Sequence, residues 1–365
     1  MFSSSAKARR HRSTPPVLYP RNLMKIALIG LPQAGKRTLF TLLTTRQVPE
    51  GRKPGETVEG ISRIRDPRVD VLSGMFKPEK TTYAENNFVL CPDADTGGNH
   101  EWLDAARRCH LVCLVLRAFD DDGVYHPAGS IDADRDRENL EAELLLADMA
   151  LVETRLERLA RESKSGLKPE QERETAVLDK AMARLESGER LEGLDLDESE
   201  RAAVRSLDLV TFLPMLRVYN VSESDLDNEL PDASVAVSCQ IEAEVAEMED
   251  ADERREYLEA LGLSAPGVDR VSAAAYDALG LMSYYTVGED ECRAWTIRKG
   301  ALAPEAGGSI HSDIERGFIR AEVMAYEDFV AAGSEVEAKN HGLMQTRGRD
   351  YVVEDGDIMH FLFNV

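Results

Sequence analysis

Ile26-Ala27-Leu28-Ile29-Gly30-Leu31-Pro32-Gln33-Ala34-Gly35-Lys36-Arg37-Thr38-Leu39 decides the fold of this chain. A short apolar run meets a glycine-bounded loop, and a helical pattern begins after it. Four residues separate Gly30 from Gly35-Lys36, the spacing of a P-loop between a strand and a helix. Glycines there let the backbone curl so that successive N–H groups face phosphate oxygens. Lys36 then reaches the β- and γ-phosphates. The next position normally carries a Ser or Thr hydroxyl for Mg²⁺. Here it is Arg37, with Thr38 one step later. One residue turns a side chain by about 100° around a helix, so Thr38 does not take over. The stretch reads as a nucleotide site with a defect in its metal half.

Downstream, Leu39, Phe40, Leu42 and Leu43 continue an amphipathic helix. Residues 46–60 are polar and rich in Gly and Pro, the place of a switch loop whose Thr closes over metal and γ-phosphate. Thr57 is the candidate. Ile61 to Val71 surrounds Asp66-Pro67-Arg68, and Asn87-Phe88-Val89-Leu90-Cys91 reads as a buried strand. Such a strand should end in Asp-x-x-Gly, with the Asp holding the Mg²⁺ water shell. Leu90 stands at the Asp position; Asp93 and Asp95 are the acids left to rescue metal binding. Leu111 to Leu116 is the next strand, and Asp120-Asp121-Asp122 reads as a solvated loop.

Thr211 to Tyr219 is an extended apolar run ending in Asn220-Val221-Ser222-Glu223. This is the place of a guanine-reading Asn-Lys-x-Asp. Glu223 replaces the Asp, and Val221 removes the Lys that packs over the base. Val235 to Cys239 is a further strand, and residues 241–262 read as one acidic helix.

Residues 136–206 differ in character. Leu145, Met149, Val152, Leu156 and Leu159 recur at 4-3-4-3 spacing, a coiled-coil seam broken at Gly166 and Pro169. Leu178, Met182 and Leu185 begin a second seam, so the segment reads as an antiparallel helical hairpin inserted into the nucleotide domain. From Tyr285 the chain changes again. Arg293 to Ile297 is a strand; Gly307-Gly308 and Gly317 mark turns. Tyr351 to Val353 and Met359 to Phe363 are strands around the tight turn Glu354 to Asp357. Residues 283–365 read as a mixed α/β binding module without a catalytic constellation.

The bulk numbers frame this. The chain has 365 residues, 43% of them hydrophobic and 30% charged, enough for two or three domains with real cores. A net charge of −23 excludes nucleic-acid binding over the whole surface and leaves only local basic patches for RNA. The five cysteines contain no C-x-x-C pair, which fits a reducing cytoplasm. No apolar run approaches the ~18 residues of a membrane helix. Residues 1–23 hold Lys7, Arg9, Arg10, Arg12 and Arg21 and no acid. They read as a basic flexible extension or as sequence ahead of a working start at Met24.

Together these landmarks resemble the YchF-type subfamily of Obg-related P-loop GTPases from Met24 to Val365. The densest stretches are Gly30 to Phe40, Asp66-Pro67-Arg68, Asn220 to Glu223, Arg293 to Ile297, Ile310 to Asp313, Glu315 to Ala321, Asp355-Gly356-Asp357 and Phe361 to Val365. The resemblance implies an α/β P-loop NTPase domain (24–282) with an inserted antiparallel coiled coil (about 136–206). It also implies a C-terminal β-grasp TGS domain (283–365). It further implies ATP preferred over GTP, ribosome or RNA contact through the TGS domain and coiled coil, no membrane, and a cytoplasmic site of action. Its nucleotide-binding residues map to Gly30, Gln33, Ala34, Gly35, Lys36 and Thr38, with Asn220 and Glu223 at the base. Its Mg²⁺ Ser falls on Arg37, its switch Thr on Thr57, and its Asp-x-x-Gly on Leu90 to Asp93, where both defining residues are missing. Hydrolysis is therefore expected to be slow or lost. Arg37 would replace part of the Mg²⁺ charge at the phosphates. Two other readings remain: an active ATPase or GTPase using Asp93 or Asp95 with Thr57, and a scaffold that binds no nucleotide.

Overall fold

The computed structural model describes residues 24–51, 55–95, 97–163, 166, 168–231 and 234–364; the expectations for residues 1–23 lie outside them. Two six-stranded sheets organise the described residues. β1 (Lys25–Ile29) runs into α1 (Lys36–Thr44), followed by β2 (Val58–Arg63), α2 (Pro67–Phe76), β3 (Lys80–Thr82), β4 (Glu85–Leu90) and β5 (Leu111–Ala118). Then come α3 (Ala133–Glu162), α4 (Pro169–Glu186), α5 (Glu198–Val204), β6 (Met215–Val221) and β7 (Ser234–Val237). α6 (Cys239–Glu247), α7 (Ala251–Ala260) and α8 (Gly267–Ala278) lead to β8 (Leu281–Thr286) and β9 (Glu291–Arg298). The chain closes with α9 (Ala303–Ile310), α10 (Ser312–Gly317), β10 (Phe318–Met324), α11 (Tyr326–Ala332), α12 (Glu335–Asn340), β11 (Gln345–Arg347) and β12 (Ile358–Phe363).

The first sheet has the order β2-β4-β1-β5-β6-β7. It is parallel except for β2, which pairs antiparallel with β4. β1 and β5 are nearly continuous apolar runs because both faces of the sheet are covered. Leu39, Phe40 and Leu43 of α1 and Val271 and Ala275 of α8 cover one face. Trp102, Leu103 and the first half of α3, through Leu140, Leu144 and Ala147, cover the other. No helix among the described residues is long and apolar enough to cross a membrane.

The second half of α3 leaves the sheet and packs on α4. Val152 and Leu159 meet Val177, Leu178, Ala181 and Leu185, with Leu145, Met149, Leu156 and Met182 half-buried beside them. Arg155 grips Glu174 with two 2.7 Å bonds across the helices. The helix begins earlier than the apolar pattern implied, because Asp132 caps it by accepting from Arg135 N at 3.0 Å.

Several local expectations change. The run from Thr211 is not extended until Met215. The buried Asp148 carboxylate accepts from Val210 N, Thr211 N and Thr211 Oγ1, and folds residues 210–212 into a 3₁₀ turn. Residues 241–262 form two helices, since Asp250 caps a new one through Asp252 N and Glu253 N. Gly307 and Gly308 lie inside α9, not in a turn. A Cβ on Gly307 would sit 2.7 Å from Ile314 Cγ2, so the glycine permits close packing of α9 on α10. Residues 351–353 pair only through the bridge Leu302↔Val352, so no hairpin forms with β12. β12 instead runs antiparallel to β10 and parallel to β8. Asp357 enforces this path: its carboxylate accepts from Tyr351 Oη and Glu354 N, and its carbonyl accepts from Tyr285 N.

The second sheet has the order β11-β10-β12-β8-β9-β3. Its last strand comes from the N-terminal part of the chain, with Lys80 opposite Glu291. Beside it a side-chain joint ties the sheets together. Arg68 Nε and Nη2 each lie 3.0 Å from the Asp66 carboxylate, and Nη1 reaches Asp355 at 2.7 Å. The guanidinium sits 5.3 Å from the Tyr285 ring centre, and the Tyr285 hydroxyl donates to Asp66. Asp355 also accepts from Ser283 N at 3.0 Å. Burial works against charge on Asp66, yet the bonds from Arg68 and Tyr285 hold its carboxyl below the usual range. Burial, and then Asp66, push the Tyr285 hydroxyl far up. Phe76 of α2 stacks on Phe329 of α11 at 5.4 Å, adding an apolar contact.

Candidate functional site

The site lies where the parallel strands of the first sheet end. β1 ends just before Gly30, whose backbone passes so close to the Val115 carbonyl that any Cβ would collide with it. The chain turns through Gln33 (φ 62°) and Gly35 (φ 92°). At Gly35 a Cβ would strike Asn220 Nδ2, so glycine is required twice over. α1 starts at Lys36 with no side-chain cap, which leaves the N–H groups of its first turn for a ligand.

Lys36 is 3% exposed. Its Nζ lies 3.0 Å from the Gly30 carbonyl, 3.0 Å from the Pro92 carbonyl and 2.8 Å from Asp93 Oδ1. Asn220, also buried, fastens the loop from the side. Its Nδ2 donates to the Ala34 carbonyl at 3.2 Å and its Oδ1 accepts from Cys239 N at 3.0 Å. Asn220 thereby couples the loop to the start of α6. Burial pushes the Cys239 thiol up to about 12, so it stays protonated.

The structure thus gathers Gly30, Ala34, Gly35, Lys36 and Asn220 at one point. Gln33, Arg37 and Thr38 are exposed on the rim of the loop and the first turn of α1. Glu223 is exposed in a 3₁₀ turn after β6. Thr57 is half-buried just before β2. Asp95 accepts from Gly97 N at 2.9 Å and so serves its own loop.

Three participants take parts that the sequence did not indicate. The Pro92 carbonyl has no side-chain signal. Asp93, expected from the sequence as an acid left to rescue metal binding, is turned onto Lys36. Arg117, near the end of β5, is 2% exposed. Its guanidinium donates to the carbonyls of Phe119, Asp121, Val124 and Tyr125 and lies 4.6 Å from the Phe119 ring centre. It pins the loop after β5 beside the site, and a buried pair, His126 Nε2 to Asp136 Oδ2 at 2.8 Å, fastens that loop to α3.

A family model named YchF-GTPase_C, described as a protein of unknown function, matches residues 281–364. The ribosome-binding ATPase YchF of Escherichia coli O157:H7 is 38% identical over 363 residues, covering 93% of this chain and 99% of that protein. The chain belongs to the YchF family. The ribosome-binding ATPase YchF of Bacillus subtilis is 37% identical over 362 residues, covering 93% of this chain and 98% of its own. The YchF GTPase structure from Schizosaccharomyces pombe superposes with a TM-score of 0.77 at 28% identity, covering 94% of this chain and 99% of that one. The YchF fold, a P-loop NTPase domain of the Obg-related kind followed by a C-terminal domain, is therefore the fold of this chain.

Within that YchF frame, the donor set favours phosphate over metal. Mg²⁺ in nucleotide sites is held by one or two protein oxygens plus phosphates. Leu90, at the end of β4, is apolar and 1% exposed. Arg37 carries a cation where a hydroxyl is needed. Among the described residues no group of three or more His, Cys, Asp or Glu side chains forms a metal-holding cluster. These residues do not fit Mg²⁺ in the usual manner. A glycine-framed loop, a buried lysine and an open helix start do fit a phosphate chain.

Proposed function

We propose that this chain is a nucleotide-binding, ribosome-linked member of the YchF family with slow or absent hydrolysis. The observation that carries the reading is the contrast within one loop. Lys36 is built into a glycine-framed cradle by two backbone carbonyls, while Arg37 and Leu90 stand where metal ligands belong. Gly30, Gln33, Ala34, Gly35, Lys36 and Thr38 supply the phosphate contacts, and Arg37 adds positive charge from the exposed rim. Asn220 and Glu223 mark the base end. Glu223 in place of Asp removes the usual guanine-reading carboxylate geometry, which favours ATP over GTP. Phosphoryl transfer depends on positioning and on neutralising developing charge, with Mg²⁺ serving both. Without its ligands, turnover falls.

The names of the relatives support a place on the ribosome. The α3–α4 hairpin and the C-terminal module, read as a TGS-type β-grasp domain, are the surfaces assigned to that contact, and the cytoplasm is where it occurs. The test is titration calorimetry with ATP and with GTP, each in Mg²⁺ and in EDTA, then phosphate release on the same samples and co-sedimentation with ribosomes. Binding that survives EDTA, little release and nucleotide-dependent co-sedimentation are expected. Release at an ordinary ATPase rate would overturn the loss of hydrolysis. Co-sedimentation without any nucleotide binding would favour the scaffold reading.

A further inference from the structure

We propose that Asp93 is an internal competitor for the nucleotide's phosphate, a carboxylate latch closed on Lys36. The proposal rests on the nucleotide-binding reading above and adds how access to that site is set. An ammonium group has three N–H donors. On Lys36 they face the Gly30 carbonyl, the Pro92 carbonyl and Asp93 Oδ1, at 3.0, 3.0 and 2.8 Å. A phosphate oxygen reaches Nζ only by taking the place of one of these.

The three acceptors are not equally movable. The Gly30 carbonyl also accepts from Ala94 N at 3.0 Å, and Cys91 N donates to the Leu28 carbonyl at 3.2 Å. The backbone on both sides of Pro92 is therefore tied to the end of β1. Asp93 is held there by its side chain, which is 43% exposed against 3% for Lys36. The carboxylate can swing into solvent without breaking a backbone bond; the carbonyls cannot. It also bears the same charge as the ligand. If it stays, it repels the phosphates; if it leaves, the ion pair with Lys36 is lost. Either way the apparent affinity is reduced by the fraction of molecules with the latch closed.

This role has the opposite sign to metal rescue. As a metal ligand, Asp93 would strengthen nucleotide binding in Mg²⁺. As a latch, it weakens binding with or without Mg²⁺. Asp93→Asn keeps the size of the side chain and removes its charge, and Asp95→Asn is the control on the same loop. ATP affinity of the full chain is measured by calorimetry in Mg²⁺ and in EDTA, with Lys36→Ala to report binding outside the cradle and thermal melts to report folding. If the latch is open about one time in ten, Asp93→Asn binds about tenfold tighter in both buffers, and Asp95→Asn does not change. Tight binding by Asp93→Asn where the unaltered chain shows none supports the latch still more strongly. Unchanged affinity in Asp93→Asn overturns the latch and leaves nucleotide binding standing. Weaker binding confined to Mg²⁺ makes Asp93 a metal ligand instead. No binding by the unaltered chain or by Asp93→Asn overturns both readings. Should Asp93→Asn melt early, Asp93→Ser repeats the test with the charge still removed.

Discussion

At the phosphate cradle, shape is carried mainly by backbone; at the joint between the sheets, by side chains. Gly30 and Gly35 permit a path that no other residue fits, and Lys36 is held chiefly by carbonyls. At the joint, Asp66, Arg68, Tyr285 and Asp355 hold one another through charge and hydroxyl. The difference teaches why the form of the loop does not rest on the side chains of Arg37 or Leu90. Arg37 lies on an exposed turn and Leu90 at a strand end, and neither takes part in the glycine-dependent path. At the joint each side chain is a partner of the next, so a loss at one is felt by the others.

The sharpest way to break that comparison is Lys36→Ala. It should leave the fold in place and weaken ATP binding at least about a hundredfold by calorimetry, because it removes the charged contact to the phosphates. A modest loss would mean that backbone alone binds. Next is Asn220→Ala, which strands the Ala34 carbonyl and Cys239 N–H in a buried setting. We expect a cost of about 2 kcal/mol in urea unfolding. No cost would show that the loop needs no side-chain support at all. Arg68→Ala should cost somewhat less, about 1–2 kcal/mol, since the joint is partly solvated and screened. An exchange experiment should show the β3 and β9 amides opening more readily.

Arg37→Ser sharpens the comparison from the other side. It should weaken EDTA-resistant ATP binding by about fivefold, or roughly 1 kcal/mol. Phosphate release should not rise, because Leu90 still offers no oxygen. The smallest effect is on pH. Asp66 has a lowered folded value against an ordinary 3.8, so the unfolded chain binds more protons as pH falls. Its contribution is complete above about pH 5 and is lost as pH drops through the lowered value. Melting temperatures from pH 6 to pH 3 should therefore fall more steeply for the unaltered chain than for Asp66→Asn.

The P-loop was legible because its glycines and lysine obey a spacing that backbone geometry imposes. The parallel strands were legible because burial on both faces writes continuous apolar runs such as Leu111 to Leu116. Boundaries were harder wherever a distant side chain intervened. Asp148 bends residues 210–212, Asp250 restarts a helix, and Asp357 steers the chain away from a hairpin. Asp66-Pro67-Arg68 and Asp355-Gly356-Asp357 were each conspicuous, yet nothing in either said that they touch.

What the sequence determined by itself is local: a glycine-bounded loop ahead of a lysine, an arginine after that lysine, a leucine at the end of a buried strand, and two helical seams. Those depend on spacing along the chain, which a sequence displays directly. What only the tertiary structure decided is pairing at long range. Lys80 lies opposite Glu291, Arg68 grips Asp355, and Asp93 is turned onto Lys36. Such contacts depend on how sheets and loops close in space, and a carboxylate's partner is set by that closure, not by its neighbours in sequence.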